Sequence, residues 1–320
     1  MYAYIIKKRL TMEITEKTTG RQRPATLLQA CDNDLQQLRM RVGTDRTAST
    51  YARQCRLRQL VADFMKEALA LDDVELDSLN TRFIFDYSAY LSSRRHMLPG
   101  TVWLACQWLK GVVGRASQRG WMVGNPFAEF HAGRNIRPRE YLTESELQQL
   151  MTLHTDDRRH SLYRDLFVFS ALTGLSFADI NSLSHNDIRT VDGQQWIMAL
   201  RHKMGTPYQV RLMPQAAAII ARYDRGQGRI FGPITYRTMA KHIPLLMQQC
   251  GITRHVTFHS ARHTFAIICL NAGVPIESIS RMLGHTNIST TQIYARITLG
   301  KLNSDIDSLQ SFLETNWHTL

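Results

Sequence analysis

Residues 259–265 read His259-Ser260-Ala261-Arg262-His263-Thr264-Phe265. On a helix His259 and Arg262 are three apart and share a face. An imidazole can move a proton near neutral pH, and a guanidinium carries a permanent charge on a planar fork that suits the non-bridging oxygens of a phosphate. By itself the His-x-x-Arg spacing is weak, because a structural or surface pair has the same form. The stretch around it, 258–297, is broken at Gly273-Val274-Pro275 and at Gly284-His285, so it reads as three short helices. Leu283-Gly284-His285 ends twenty-three residues beyond Arg262, and Tyr294 follows nine residues later in Thr291-Gln292-Ile293-Tyr294-Ala295-Arg296.

Upstream, Thr143 and Glu146 have capping-box spacing ahead of Leu147, Leu150 and Met151. A buried helix carrying Leu162, Leu166, Phe167 and Ser170 ends at Gly174, and a short helix is expected near 177–183. Two strands, 196–200 and 208–213, flank a turn with Lys203, Gly205 and Pro207; amphipathic helices follow at about 215–223 and 236–249. The segment 131–140, with Gly133, Pro138 and three arginines, reads as a basic linker. Before it, apolar periodicity predicts an all-helical domain over 45–130. One helix begins at Thr47, a second is entered through Asn80, and a third runs from Pro99-Gly100 to near Gly120. Residues 1–44 are polar and basic and predict no stable element; they are expected to form a basic N-terminal arm. Residues 301–320 form a tail helix, with Leu302, Ile306, Leu309, Phe312 and Leu313 at helical spacing. The fold class expected is mainly α with a small antiparallel sheet in the second domain, 141–300.

The 320 residues carry a formal charge of +12, which points to a polyanionic partner. Residues 1–60 hold twelve Lys/Arg against five Asp/Glu, so the excess is concentrated at the start. Arg94, Arg95, Lys110, Arg115 and Arg119 in the helical domain, and Arg137 and Arg139 in the linker, are candidate DNA contacts; a solvated face is the plainer reading of the first five. The five cysteines form no Cys-x-x-Cys pair, which argues against a zinc site or a disulfide framework. No run approaches the ~20 apolar residues of a membrane span, and the start has too short an apolar stretch for a signal peptide. A cytoplasmic, nucleoid-associated protein is expected.

Taken together, H-x-x-R-H-T-F, L-G-H and a tyrosine nine residues on resemble the tyrosine recombinase family of phage integrases and chromosome-dimer resolvases. The resemblance covers about 138–298 and extends more loosely to the helical domain, which is similar to the family's core-binding (SAM-like) domain. It implies a site-specific DNA recombinase, with Tyr294 as the nucleophile that forms a 3′-phosphotyrosyl link. It further implies Arg262 as the second family arginine on the phosphate, His259 as an aid to proton transfer, and His285 as a phosphate donor. Lys203 matches the hairpin lysine, a general acid for the leaving 5′ oxygen. No cofactor or metal is expected. The partners implied are double-stranded DNA with specific recombination sites, a homotetramer in the synaptic complex that is a monomer or weak oligomer without DNA, and DNA-bending or directionality accessory proteins. The tail either packs on its own domain or docks on a neighbouring protomer.

The sequence departs from the family at one place. In Thr173-Gly174-Leu175-Ser176, Ser176 stands where the first family arginine belongs, and Asp179 matches the acidic buttress. The resemblance extends to integrases of Bacteroidetes-type conjugative transposons, which share this variant. Arg139, Arg164 and Arg201 are candidates for a substitute cation, and Ser176 keeps a hydroxyl donor. The alternatives are a catalytically degenerate DNA-binding regulatory or architectural protein, and a type IB topoisomerase with the same chemistry.

Overall fold

The computed structural model describes residues 24–131, 133, 140–201, 205–223, 226–294 and 299–316, without the side chains of 299–305 and 316. The chain divides into two compact units at Arg137/Pro138.

The first unit is helical, with α1 Leu27–Met40, α2 Ala48–Leu69, α3 Thr81–Ser93 and α4 Pro99–Gln118. The Thr47 hydroxyl accepts from the Thr50 N–H and the Asn80 carboxamide from the Phe83 N–H, which fixes the starts of α2 and α3. Phe64 on α2 sits at the centre, its ring 5.2–5.4 Å from those of Phe83, Tyr87 and Tyr90. Helix α1 lies where no stable element was expected. Its buried residues Leu27, Ala30, Cys31, Leu35 and Leu38 form a narrow stripe among polar neighbours. Thr26 provides no side-chain cap; the first amides are met by the Val74 carbonyl and the Asp73 carboxylate, far along the chain. Burial against α2 and α4 stabilises this helix, which local sequence alone would leave marginal.

The second unit holds α5 Glu144–Thr152, α6 Arg158–Thr173, α7 Phe177–Ser182, strands β1 Ile188–Val191, β2 Gln194–Leu200 and β3 Pro207–Arg211, then α8 Pro214–Tyr223, α9 Tyr236–Gln249, α10 Phe258–Asn271, α11 Ile276–Met282, α12 Ser289–Gln292 and α13 Leu299–Asn316. The expected capping box of Thr143 and Glu146 is present. Helix α6 runs through the core and packs against α5, α8, α9 and α10. The sheet is antiparallel in the order β1-β2-β3, with Ile197 opposite both Ile188 and Val210. Strand β1 was not expected: it is short and mostly exposed, and is reached through Asp192-Gly193, both at positive φ as a tight hairpin requires.

A second small cluster, Phe265, Ala266, Ile279, Leu283 and Tyr294, joins α10, α11 and the segment after α12. The two clusters meet near Gly174, at φ +68°, where an added Cβ would come within 2.6 Å of Phe265. On α13, Ile306 and Leu309 are more than half exposed. Among the described residues no helix is long and apolar enough to cross a membrane.

Candidate active site

Arg262 lies in the first half of α10, buried, and ties three segments together. One terminal nitrogen donates to the Gly174 carbonyl (2.6 Å); the other donates to the Leu283 carbonyl (2.5 Å) and lies 3.0 Å from His285 Nε2. Both carbonyls are at helix C-termini, where orphan acceptors and the negative end of the helix dipole favour a cation. Because a guanidinium only donates, His285 accepts at Nε2 and carries its proton on Nδ1, which donates to Thr291 Oγ1 at 2.8 Å. Burial first, and then the neighbouring charge of Arg201, pull the Arg262 pKa down to about 10.

Arg201 follows directly on β2 and is also buried. It donates to Asp179 Oδ2 at 2.5 Å and to the Met282 carbonyl at 3.0 Å, and its guanidinium lies 4.0 Å from the Tyr208 ring centroid. Burial, and secondarily the Asp179 charge, push the Tyr208 phenol up. Gly284 lets this arginine in, since a Cβ there would stand 2.6 Å from Arg201 Nε. Ser176 caps α7. Its hydroxyl donates to Asp179 Oδ2 at 2.6 Å, and the Asp179 amide donates back to Ser176 Oγ. Within this group Asp179 pairs with Arg201, while the Arg262 guanidinium is held by two carbonyls and His285, a buried positive charge that suits a phosphodiester.

Tyr294 is buried beside this group, and its hydroxyl lies 2.9 Å from His263 Nδ1. The His263 ring sits edge-on to that of His259, 4.4 Å between centroids, and His259 stands exposed at the rim. Tyr294, Arg262, His285 and Ser176 therefore come together with Asp179 and Arg201, with His259 one helical turn before His263. The sequence reading gave His263 no role, although its position four residues after His259 places the two on one helical face.

Of the candidates for the substitute cation, Arg164 is engaged elsewhere. It donates to Asp165 and the Leu153 carbonyl, in a network with Arg222 and Tyr223. Arg137, Arg139 and Lys203 lie outside the described residues. The five helical-domain candidates are held within their own unit. Arg94 donates to the Glu67 carbonyl, and Arg95 pairs with Asp63 and Glu67. Lys110 donates to the Ala128 and Phe130 carbonyls. Arg115 and Arg119 both pair with Asp34. Each of these five side chains thus has a partner inside the helical unit. Among the described residues no group of His, Cys, Asp or Glu side chains could hold a metal ion.

The phage integrase family profile matches residues 140–299, and the phage integrase SAM-like domain profile matches 26–132. A tyrosine recombinase XerC of Halalkalibacterium halodurans is 26% identical over 203 residues, 57% of this chain and 66% of that protein. XerC of Myxococcus xanthus is 40% identical over 77 residues, 24% of this chain and 26% of that protein. The chain thus spans less than two thirds of the length of these relatives. In fold, it is similar to the Tn1549 transposon integrase in complex with a circular intermediate DNA, with a TM-score of 0.71, 17% identity, and coverage of 89% of this chain and 100% of that one. It is also similar to a lambda integrase dimer bound to a COC′ core site, with a TM-score of 0.66, 16% identity, and coverage of 84% and 95%. With profiles of both domains on the two units and one of them spanning half of the residues, the chain belongs to the phage integrase family.

Proposed function

We propose that this protein is a site-specific DNA recombinase that cleaves and rejoins double-stranded DNA through a 3′-phosphotyrosyl intermediate at Tyr294. The observation that carries this reading is the convergence of two buried arginines, Arg262 and Arg201, with His285 and Tyr294. Phosphoryl transfer places charge on the non-bridging and leaving oxygens, and donors fixed in advance stabilise it. Arg262, steadied by His285, binds the scissile phosphate, and Arg201 supplies the cation that Ser176 cannot. Ser176 positions Asp179, which orients Arg201. His259, exposed at the rim, assists proton transfer, and Lys203, two residues beyond Arg201, protonates the leaving 5′ oxygen. The tyrosyl ester conserves the energy of the broken bond, so rejoining needs no nucleotide.

The Tn1549 and lambda integrases were observed on DNA, and the basic charge of this chain suits the same partner. The exposed Ile306 and Leu309 of α13 support docking of the tail on a neighbouring protomer within a tetrameric synapse. Arg137 and Arg139 in the linker are further contacts to the DNA backbone. The protein acts in the cytoplasm on nucleoid DNA, with integration, excision or inversion as the outcome.

The test is covalent capture. A pool of duplexes with randomised sequence and staggered nicks is incubated with the full chain, and adducts resistant to denaturant are recovered and sequenced. A recombinase yields adducts of a shared sequence linked to Tyr294, and Tyr294→Phe yields none while binding the recovered duplex as well as wild type. Binding without any adduct would instead mark a DNA-binding protein without catalysis. An adduct formed by Tyr294→Phe would overturn the assignment of the nucleophile.

A further inference from the structure

His263 is absent from every role drawn above, yet its Nδ1 is 2.9 Å from the Tyr294 hydroxyl. Both side chains are buried, and their rings are 5.1 Å apart at 49°. The imidazole is the residue after Arg262, so one turn of α10 carries both a guanidinium of the cluster and the nitrogen at the phenol. Neighbouring helical positions diverge by about 100°, which lets the helix hold Arg262 toward Gly174 and Leu283 while it holds His263 toward Tyr294. A phenol keeps its proton until about pH 10 and an imidazole loses one near 6.5. In the neutral pair the Tyr294 O–H therefore donates to Nδ1.

We propose that His263 is a catalytic residue of DNA cleavage, the base that takes the proton of Tyr294; this rests on the recombinase reading above. As the Tyr294 oxygen bonds to phosphorus, its proton passes to His263 Nδ1 and the P–O5′ bond breaks. The leaving oxygen takes a proton from a separate acid, the role proposed above for Lys203. In rejoining, the imidazolium returns its proton to the departing phenolate. The transfer accompanies attack, because the phenol is the far weaker acid before phosphorus is engaged. His259, exposed at the mouth of the site, is left to work on the phosphate side.

The experiment uses the full chain and the duplex recovered by covalent capture, in two forms. One has an ordinary scissile phosphate; the other has a 5′-bridging sulfur, whose thiolate leaves without a proton. His263→Asn keeps an amide near the Nδ1 position but cannot act as a base. It is expected to slow adduct formation about 100- to 1,000-fold on both substrates, with duplex affinity within about threefold of wild type. A rate within about threefold of wild type, a faster rate, or recovery on the sulfur substrate would each overturn the proposal; recovery would put His263 on the leaving-group side.

A second measurement does not depend on cleavage or on a variant at His263. In protein labelled with 15N-histidine, Tyr294→Phe should move the Nδ1 resonance of His263, and an unmoved resonance would refute the contact. If wild type forms no adduct on any duplex, the recombinase reading fails, while this DNA-free measurement still reports on the pair.

Discussion

Arg201, at the end of β2, and Asp179, in α7, form an ion pair buried on both sides, with Nη1 2.5 Å from Oδ2. The same carboxylate oxygen receives the Ser176 hydroxyl at 2.6 Å. Ser176 thus shares its acidic partner with an arginine supplied from the end of the sheet. Breaking a buried pair from one side leaves an uncompensated charge. Arg201→Ala should therefore lower stability by about 3–5 kcal/mol, read by urea unfolding. Single-turnover adduct formation should fall at least about 100-fold. Unchanged adduct formation in a folded variant would remove Arg201 from the site.

This geometry decides what Ser176→Arg should do. In a site that simply lacks its arginine the substitution should hold or raise activity. Here it sets a second guanidinium beside Arg201 and removes the α7 cap, worth about 1 kcal/mol. Adduct formation should fall in Ser176→Arg alone. It should be higher in the double variant with Arg201→Ala than in Arg201→Ala by itself. A single variant as active as wild type would contradict the crowding.

Gly284 and Gly174 are both at positive φ with no room for a side chain; their Cβ atoms would come within 2.6 Å of Arg201 and Phe265. Gly193 is at +71° with open space around it. Replacing Gly193 by Ala should cost about 1 kcal/mol from backbone conformation. Gly284→Ala and Gly174→Ala should cost more, with Gly284→Ala also slowing cleavage by displacing Arg201. Thermal melts of the three variants give the order.

Glu146 pairs with Arg254 through two oxygens and accepts the Thr143 amide, and these bonds hold its pKa at about 2, with Arg254 the largest cause. A carboxylate whose pKa is lowered by folding stabilises the fold above the unfolded value. That contribution is lost as the pH falls from about 4.5 toward 2. The gap in melting temperature between wild type and Arg254→Ala should be widest at neutral pH and narrow through this window. A gap that does not narrow there would show that Arg254 acts through packing.

Arg115 and Arg119 converge on Asp34 of α1, which is nearly buried. Arg119→Ala should destabilise the helical unit by about 1 kcal/mol. It should leave the salt dependence of DNA binding nearly unchanged, whereas losing a true phosphate contact reduces the slope by about one. A reduced slope would return Arg119 to the DNA interface.

The chain's own order was enough to mark most of the helices and the caps at Asn80 and Thr143, and to single out Tyr294, Arg262 and His285 as candidates. Those signals are periodicity, local hydrogen bonding and spacing, all carried by neighbours in sequence. Helix α1 was not legible, because the partners of its first amides lie near Asp73 and Val74. Nor was the placement of Arg201, which meets Asp179 across 22 positions and Met282 across 81. His263 was visible as a letter in the motif, but its role depends on Tyr294, 31 residues away. A buried charge or a buried imidazole takes its function from whatever the fold packs against it, and only the folded chain decides that.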